Sequence, residues 1–241
     1  MTRYLKAESL KFQRSVSKRI AVLFPVFTFL LSLLSGSMMQ LSALNWWYTT
    51  MLPGCLSILC TLADQKDGKK LGYRAVYALP VSLNKTWGAK IAVSGLYTAA
   101  STAVLIGAVL LSGAFLHGSM PAWYVCAGGI LMIVTTLWQI PLCLFLSRKI
   151  GMAGTILANT GLGVFFGILC STKTLWWLCP YSWTMRILTP VLGILPNGLP
   201  AQSGDPLLNP SSVPVGLLLS LLLFAALTAL TARWFRNREA G

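Results

Sequence analysis

Residues 20–41 read IAVLFPVFTFLLSLLSGSMMQL, a run of 22 residues without a charge. A bilayer core about 30 Å thick is crossed by roughly 20 apolar residues of helix rising 1.5 Å each, so this run alone is long enough to span a membrane. Just ahead of it, Met1 to Arg19 carries Arg3, Lys6, Lys11, Arg14, Lys18 and Arg19. The apolar run continues past any A-x-A-like cleavage site, which predicts a retained cytosolic tail and not a signal peptide. Leu5, Leu10, Phe12 and Val16 alternate with the basic residues. Such a pattern predicts an amphipathic helix on the membrane surface, bracing the bundle before the first span.

The same kind of run recurs along the chain, near 46–63, 91–115, 122–147, 152–172 and 213–232. Six transmembrane helices are therefore expected, in one all-α integral membrane domain covering 1–241. Composition agrees: 56% of the residues are apolar, 10% are charged and the mean hydropathy is +0.71, whereas a soluble domain carries about a quarter of its residues as charges. Nineteen basic against five acidic residues give a net charge of +14. These basic residues lie between apolar runs, so they mark topology and contact lipid headgroups; nucleic acid is not an expected partner. Assigning the connections to alternate faces puts seventeen Lys and Arg on one side and only Lys173 and Arg186 on the other. Because Lys and Arg are retained in the cytoplasm, both termini are expected inside. Trp46, Trp47, Tyr48, Trp123, Tyr124, Trp176, Trp177 and Trp183 then form an outer aromatic belt, with Trp87 and Trp234 at the inner surface. Pro25, Pro53 and Pro141 predict bends within spans. Gly163 and Gly167 form a GxxxG that suits close helix packing.

Several chemistries lack their residues. Glu8, Asp64, Asp67, Asp205 and Glu239 all fall outside the predicted spans, and His117, the one imidazole, sits at an outer helix end. Ion-coupled carriers place Asp, Glu or His at membrane depth, so proton coupling is disfavoured. One His cannot build an H-E-x-x-H zinc site, and no G-x-S-x-G elbow or G-x-x-x-x-G-K-[ST] phosphate loop is present. The chain is thus not expected to be an enzyme, and any ATP must bind another subunit. The six cysteines have no C-x-x-C spacing; only Cys170 and Cys179, flanking an outer helix end, are placed to pair.

Three segments depart from a bland bundle. The cytoplasmic connection 64–90 carries Leu71, Ala75, Val76 and Leu79 at helical spacing before Pro80, with Lys66, Lys69, Lys70 and Arg74 beside Tyr73 and Tyr77. It reads as a short surface helix that either docks on a cytosolic partner or simply rests on lipid. The outer connection 173–212 has apolar stretches 175–178 and 187–195, too short to cross and bounded by Pro180, Pro190 and Pro196, which suits re-entrant or interfacial segments. With Asn45, Trp46, Trp47 and Tyr48 on the neighbouring outer turn, its Tyr181, Trp183 and Arg186 form a candidate rim for an amphipathic ligand; anchoring to the interface explains the same aromatic residues. Within the spans Asn159, Gln139, Thr135 and Thr136 are the notable polar residues, best read as bonds between helices.

The basic amphipathic start, the cytoplasmic helix between spans two and three, and the short apolar outer segments together resemble the permease plan of ABC-2 exporters. The run NWWYTTMLPGCLSILCTLADQKDGKKLGYRAVYALPVSLNKTWGAKI, Asn45 to Ile91, is similar to the permease subunits of lantibiotic immunity transporters of the MutE/EpiE type. So is CPYSWTMRILTPVLGILPNGLP, Cys179 to Pro200. The resemblance covers nearly the whole chain. It implies two permease subunits, related or identical, on a dimer of a separate cytosolic ABC ATPase that binds ATP and Mg. Such a complex clears lantibiotic-type peptides from the plasma membrane of a Gram-positive bacterium. Carried onto this chain, the resemblance makes the helix around Lys70 to Leu79 the ATPase-coupling element, with Lys69, Lys70, Tyr73, Arg74 and Tyr77 in contact and Pro80 setting the following turn. The alternatives are a peptide-sensing scaffold that signals to a kinase, or export of another amphipathic substrate.

Overall fold

The structure is a computed structural model and describes residues 1–13, 15–68, 82–115 and 120–237. Its helices are α1 Thr2–Gln13, α2 Ser17–Ser32, α3 Met39–Trp46, α4 Leu52–Gly68, α5 Leu83–Gly113, α6 Ala122–Thr136, α7 Gln139–Ile156, α8 Leu162–Ser171, α9 Pro180–Leu192 and α10 Ser212–Asn237. Among the described residues there is no strand, only an isolated bridge between Ile194 and Pro200. Four continuous helical stretches are long and apolar enough to cross a membrane: Ser17–Gly68, Leu83–Gly113, Gln139–Ser171 and Ser212–Asn237.

Two of these stretches are not single rods. Gly36 has φ 55° and ψ −121°, and Gly151 has φ 71° and ψ −170°; side chains with a Cβ rarely adopt such φ values, and glycine does so freely. Beyond Gly36 the chain returns along α2, which packs on both α3 and α4. Beyond Gly151, the Asn159 side chain donates to Gln139 Oε1 at 3.0 Å. Twenty residues of straight helix would hold those two about 30 Å apart, so the chain doubles back at Gly151.

The bundle is apolar outside and partly polar within. On α5 the buried residues include Ser94, Thr98, Ser101 and Thr102, while Leu96 and Leu111 are 66% and 70% exposed. Leu157, Leu218 and Leu230 face outward in the same way. Lipid tails are as apolar as leucine, so helices in a bilayer are held by close packing and internal hydrogen bonds and not by burying leucines. Gly163 and Gly167 supply such packing within the chain. A methyl group at Gly163 would lie 3.0 Å from the Tyr181 ring, and one at Gly167 would lie 3.1 Å from the Tyr181 carbonyl oxygen.

Several boundaries and orientations differ from the sequence-based expectations. Asp64 to Gly68 continue α4, and α5 starts at Leu83, so much of the expected cytoplasmic connection 64–90 is helix projecting past the apolar runs. In the expected outer connection, α9 begins at Pro180 and contains Pro190, so Pro190 does not end the helix. Helix α1 rests on the bundle by one face: Glu8 and Phe12 are buried and Phe12 stacks on Tyr97 with ring centroids 4.7 Å apart, whereas Leu10, and Val16 just beyond the helix, are exposed. Trp87, expected to face the inner interface, is fully buried within the bundle, its Nε1 donating to Thr231 and its ring stacked on Phe235 at 4.7 Å.

Candidate functional site

The expected coupling residues Lys69, Lys70, Tyr73, Arg74, Tyr77 and Pro80, like His117, lie outside the described residues. What is described is how both ends of that connection are held. At the end of α4, Asp67 Oδ2 accepts from Lys90 Nζ at 2.5 Å and Oδ1 from Lys11 Nζ at 2.8 Å. Lys11 also donates to Glu8 Oε1 at 2.6 Å, Lys90 to the Ala63 carbonyl at 2.9 Å, and Lys66 to the Lys11 carbonyl. On the other flank, the Ser82 backbone N–H donates to the Tyr4 hydroxyl at 3.2 Å. Helix α1 therefore bonds both ends of the 69–81 connection.

The centre of this clasp is buried. The Lys90 side chain is 0% exposed, Glu8 3% and Asp67 7%. Burial alone would lower the Lys11 pKa, but Glu8 and Asp67 outweigh it and hold the amine above its ordinary value. Beside it Arg148 Nε approaches Asp64 Oδ1 at 3.8 Å, and its guanidinium lies over the Trp234 and Phe235 rings at 5.3 and 5.1 Å. All five carboxylates were expected outside the spans; three of them, Glu8, Asp64 and Asp67, are buried in ion pairs. The recoverable signal was spacing: Asp64 and Asp67 share a helix face at i, i+3, and Lys90 follows on the next helix.

A second node lies deeper. Asn159 Nδ2 is within reach of the Pro53 carbonyl at 3.2 Å, Ser57 Oγ at 3.1 Å and Gln139 Oε1 at 3.0 Å, and Tyr181 donates to Asn159 Oδ1 at 3.5 Å. Two wide, π-helical turns meet there: Trp47–Met51 precedes Pro53, and Leu157–Gly161 contains Asn159. Pro53 lacks an N–H, and a π turn beside it re-routes the backbone bonds. A Cβ on Gly54 would meet Thr160 Oγ1 at 3.7 Å, so the start of α4 packs on the second of these turns. Asn159→Ala removes the shared donor and is expected to cost about 1–2 kcal/mol, read as a lower unfolding temperature in detergent. An unchanged temperature would mean that these bonds do not hold the spans together.

The expected outer rim is largely core. Trp47 is fully buried with Nε1 donating to Thr102 at 3.2 Å; Tyr48 is 2% exposed and accepts from Asn45 at 2.8 Å. Trp183 is 5% exposed, donates to the Trp177 carbonyl at 3.0 Å and meets the Trp138 ring at 6.4 Å. Tyr181 packs edge-on against Trp138 at 5.0 Å. Only Trp46 of this set, half exposed, fits a rim. The two outer connections do meet, because Asn45 lies against Gly198. Arg186 is half-buried with its guanidinium 6.0 Å from the Trp176 ring, and its Nε and Nη1 have no hydrogen-bond partner among the described residues. An apolar groove of about 450 Å³ opens between α2 and α5, lined by Phe29, Leu33, Leu111 and Phe115 among others. No family model, curated protein or solved structure matches this chain.

Proposed function

We propose that the chain is one transmembrane subunit of an ATP-driven exporter, an ABC-2 permease of the lantibiotic immunity type. In this reading it crosses the plasma membrane of a Gram-positive bacterium six times, with breaks at Gly36 and Gly151 separating paired crossings, and keeps both termini in the cytoplasm. A dimer of a cytosolic ABC ATPase holds the ATP and Mg. A second permease subunit, related or identical, completes the pathway, and the substrate is an amphipathic antimicrobial peptide taken from the membrane.

The observation that carries the reading is the clasp of α1 on both ends of the 69–81 connection through Lys11, Lys66, Asp67, Tyr4 and Ser82. A connection that only rests on lipid has no need of buried charge at its base. One that receives force from a partner needs stiff ends, and charge-assisted bonds at about 2.5–2.8 Å supply them. Displacement of the connection then enters α4 and α5 together. Helix α5 is 31 residues long, about 46 Å at 1.5 Å per residue, so it reaches the outer side without interruption. There its Val109 carbonyl and Ser112 hydroxyl accept from Gln40 near the turn at Gly36. The apolar groove between α2 and α5 suits the apolar part of an amphipathic substrate arriving from lipid.

Affinity capture of the tagged chain from native membranes solubilised in mild detergent tests the reading. Co-recovery of a P-loop ATPase and a second multi-span subunit is the expected result. Recovery alone, or with a sensor kinase, under conditions that preserve a known ABC complex would overturn it in favour of a sensory scaffold.

A further inference from the structure

Helices α8 and α9 are drawn together where they bear their cysteines. Gly167 lets the Tyr181 carbonyl approach within 3.1 Å of the position a Cβ would take, and Gly163 admits the Tyr181 ring. One turn beyond Gly167 stands Cys170, in the last turn of α8; two residues before Tyr181 stands Cys179, which caps the start of α9. Cys179 Sγ donates to the Phe166 carbonyl at 3.8 Å. Both thiols are free and half-buried, and the Phe166 carbonyl that Cys179 meets lies one helical turn before Cys170 on α8. Cys55, Cys60 and Cys143 are fully buried elsewhere in the bundle, and Cys126 is exposed on α6.

We propose that Cys170 and Cys179 are a disulfide-forming pair that, by exchange with a small external disulfide, cross-links the end of α8 to the start of α9. The exchange balances without a further oxidant. One ionised thiol of the pair attacks a sulfur of the external disulfide and releases one small thiolate. The second, once ionised, attacks the protein sulfur of that mixed disulfide and releases the other. The net change is two protein thiols to one protein disulfide and one small disulfide to two small thiols. A disulfide needs Cα atoms about 4.4–6.8 Å apart, and the glycine contacts bring the backbones of α8 and α9 close one turn before Cys170. The bond closes the exposed turn 172–178, whose Leu175, Trp177 and Leu178 are 59%, 45% and 61% exposed. Cross-linked, that apolar turn moves only with both helices. Burial, together with the neighbouring Cys170, raises the Cys179 pKa, so exchange accelerates as pH rises above the usual thiol range of about 8.5.

The pairing rests on the packing of α8 on α9. Only its occurrence in a cell depends on the outward placement proposed above, so a failure in purified protein counts against the pairing and leaves the transport reading untouched. The purified chain, reduced and desalted, is incubated with oxidised glutathione, then unfolded and alkylated with N-ethylmaleimide, and its mass is read intact and after digestion. The reduced chain has six cysteines to alkylate; after exchange, two fewer adducts and a cross-linked Cys170–Cys179 peptide are expected. Cys170→Ser and Cys179→Ser should lack the cross-link, each keeping the remaining thiol free or as a glutathione adduct. Full alkylation of the oxidised wild-type chain, or glutathione on Cys170 or Cys179 without a cross-link, would overturn the proposal. The wild-type measurement decides even if a variant fails to fold.

Discussion

Asp67→Ala is expected to destabilise the purified protein by about 3–5 kcal/mol, the range for removing one partner of a buried ion pair. Its two oxygens hold Lys90 and Lys11, and Lys90 is wholly buried. Without that carboxylate, the buried ammonium loses the charge-assisted bond of 2.5 Å that offsets its desolvation. The unfolding temperature in detergent should drop far more for this variant than for Lys11→Ala, whose side chain is 32% exposed and partly screened. Replacing Asp67 and Lys90 together by leucine and methionine should recover much of the loss, since apolar replacement of a buried pair is often neutral. Equal, small effects of Asp67→Ala and Lys11→Ala would show that the pair contributes nothing. The clasp also has an alkaline limit. Because the Lys11 pKa is raised on folding, its contribution is complete below the unfolded value of about 10.4 and is lost as pH climbs through the higher folded value.

Helix class and the positions of the apolar runs were legible because lipid imposes a demand that can be read locally, a long uncharged stretch with every backbone group satisfied inside it. The turns at Gly36 and Gly151 fall near the ends of predicted runs for the same reason. Rotation about each helix axis was not legible. Trp46 and Trp47 are neighbours, yet one is half exposed and the other wholly buried against Thr102; a step of one residue turns the helix by about 100°, and only tertiary packing selects which ring goes inside. The same limit hid the clasp. A basic tail and an acidic pair at a helix end look like solvated termini until α1 is seen to fold under α4 and α5. Asn159 and Gln139 were legible as bonds between helices, but the Asn159 partners Pro53 and Ser57, 106 and 102 residues away, were not. In the connection 173–212, Pro180 marked where a helix begins without revealing that Trp183 would turn inward onto Trp138.

Arg74→Glu should abolish recovery of the ATPase with the tagged chain while leaving its unfolding temperature unchanged, and this pair of readouts separates coupling from stability. The substitution reverses a charge on a connection whose ends, at Asp67 and Ser82, are already fixed by α1, so the fold has no need of Arg74 to hold the ends together. An interface with a cytosolic subunit does depend on the sign of a charge presented to it, because like charges brought together cost several kcal/mol, with about tenfold in affinity for each 1.4 kcal/mol. Asp67→Ala should behave in the opposite way, losing stability first and the partner only as a consequence. If Arg74→Glu retains the ATPase, and resistance to an antimicrobial peptide in cells is undiminished, the coupling assignment of this connection fails and its basic residues serve lipid alone. If it loses stability as well as the partner, residues 69–81 belong to the packed fold, and the force would have to enter through α1, the one described element that grips both ends of the connection.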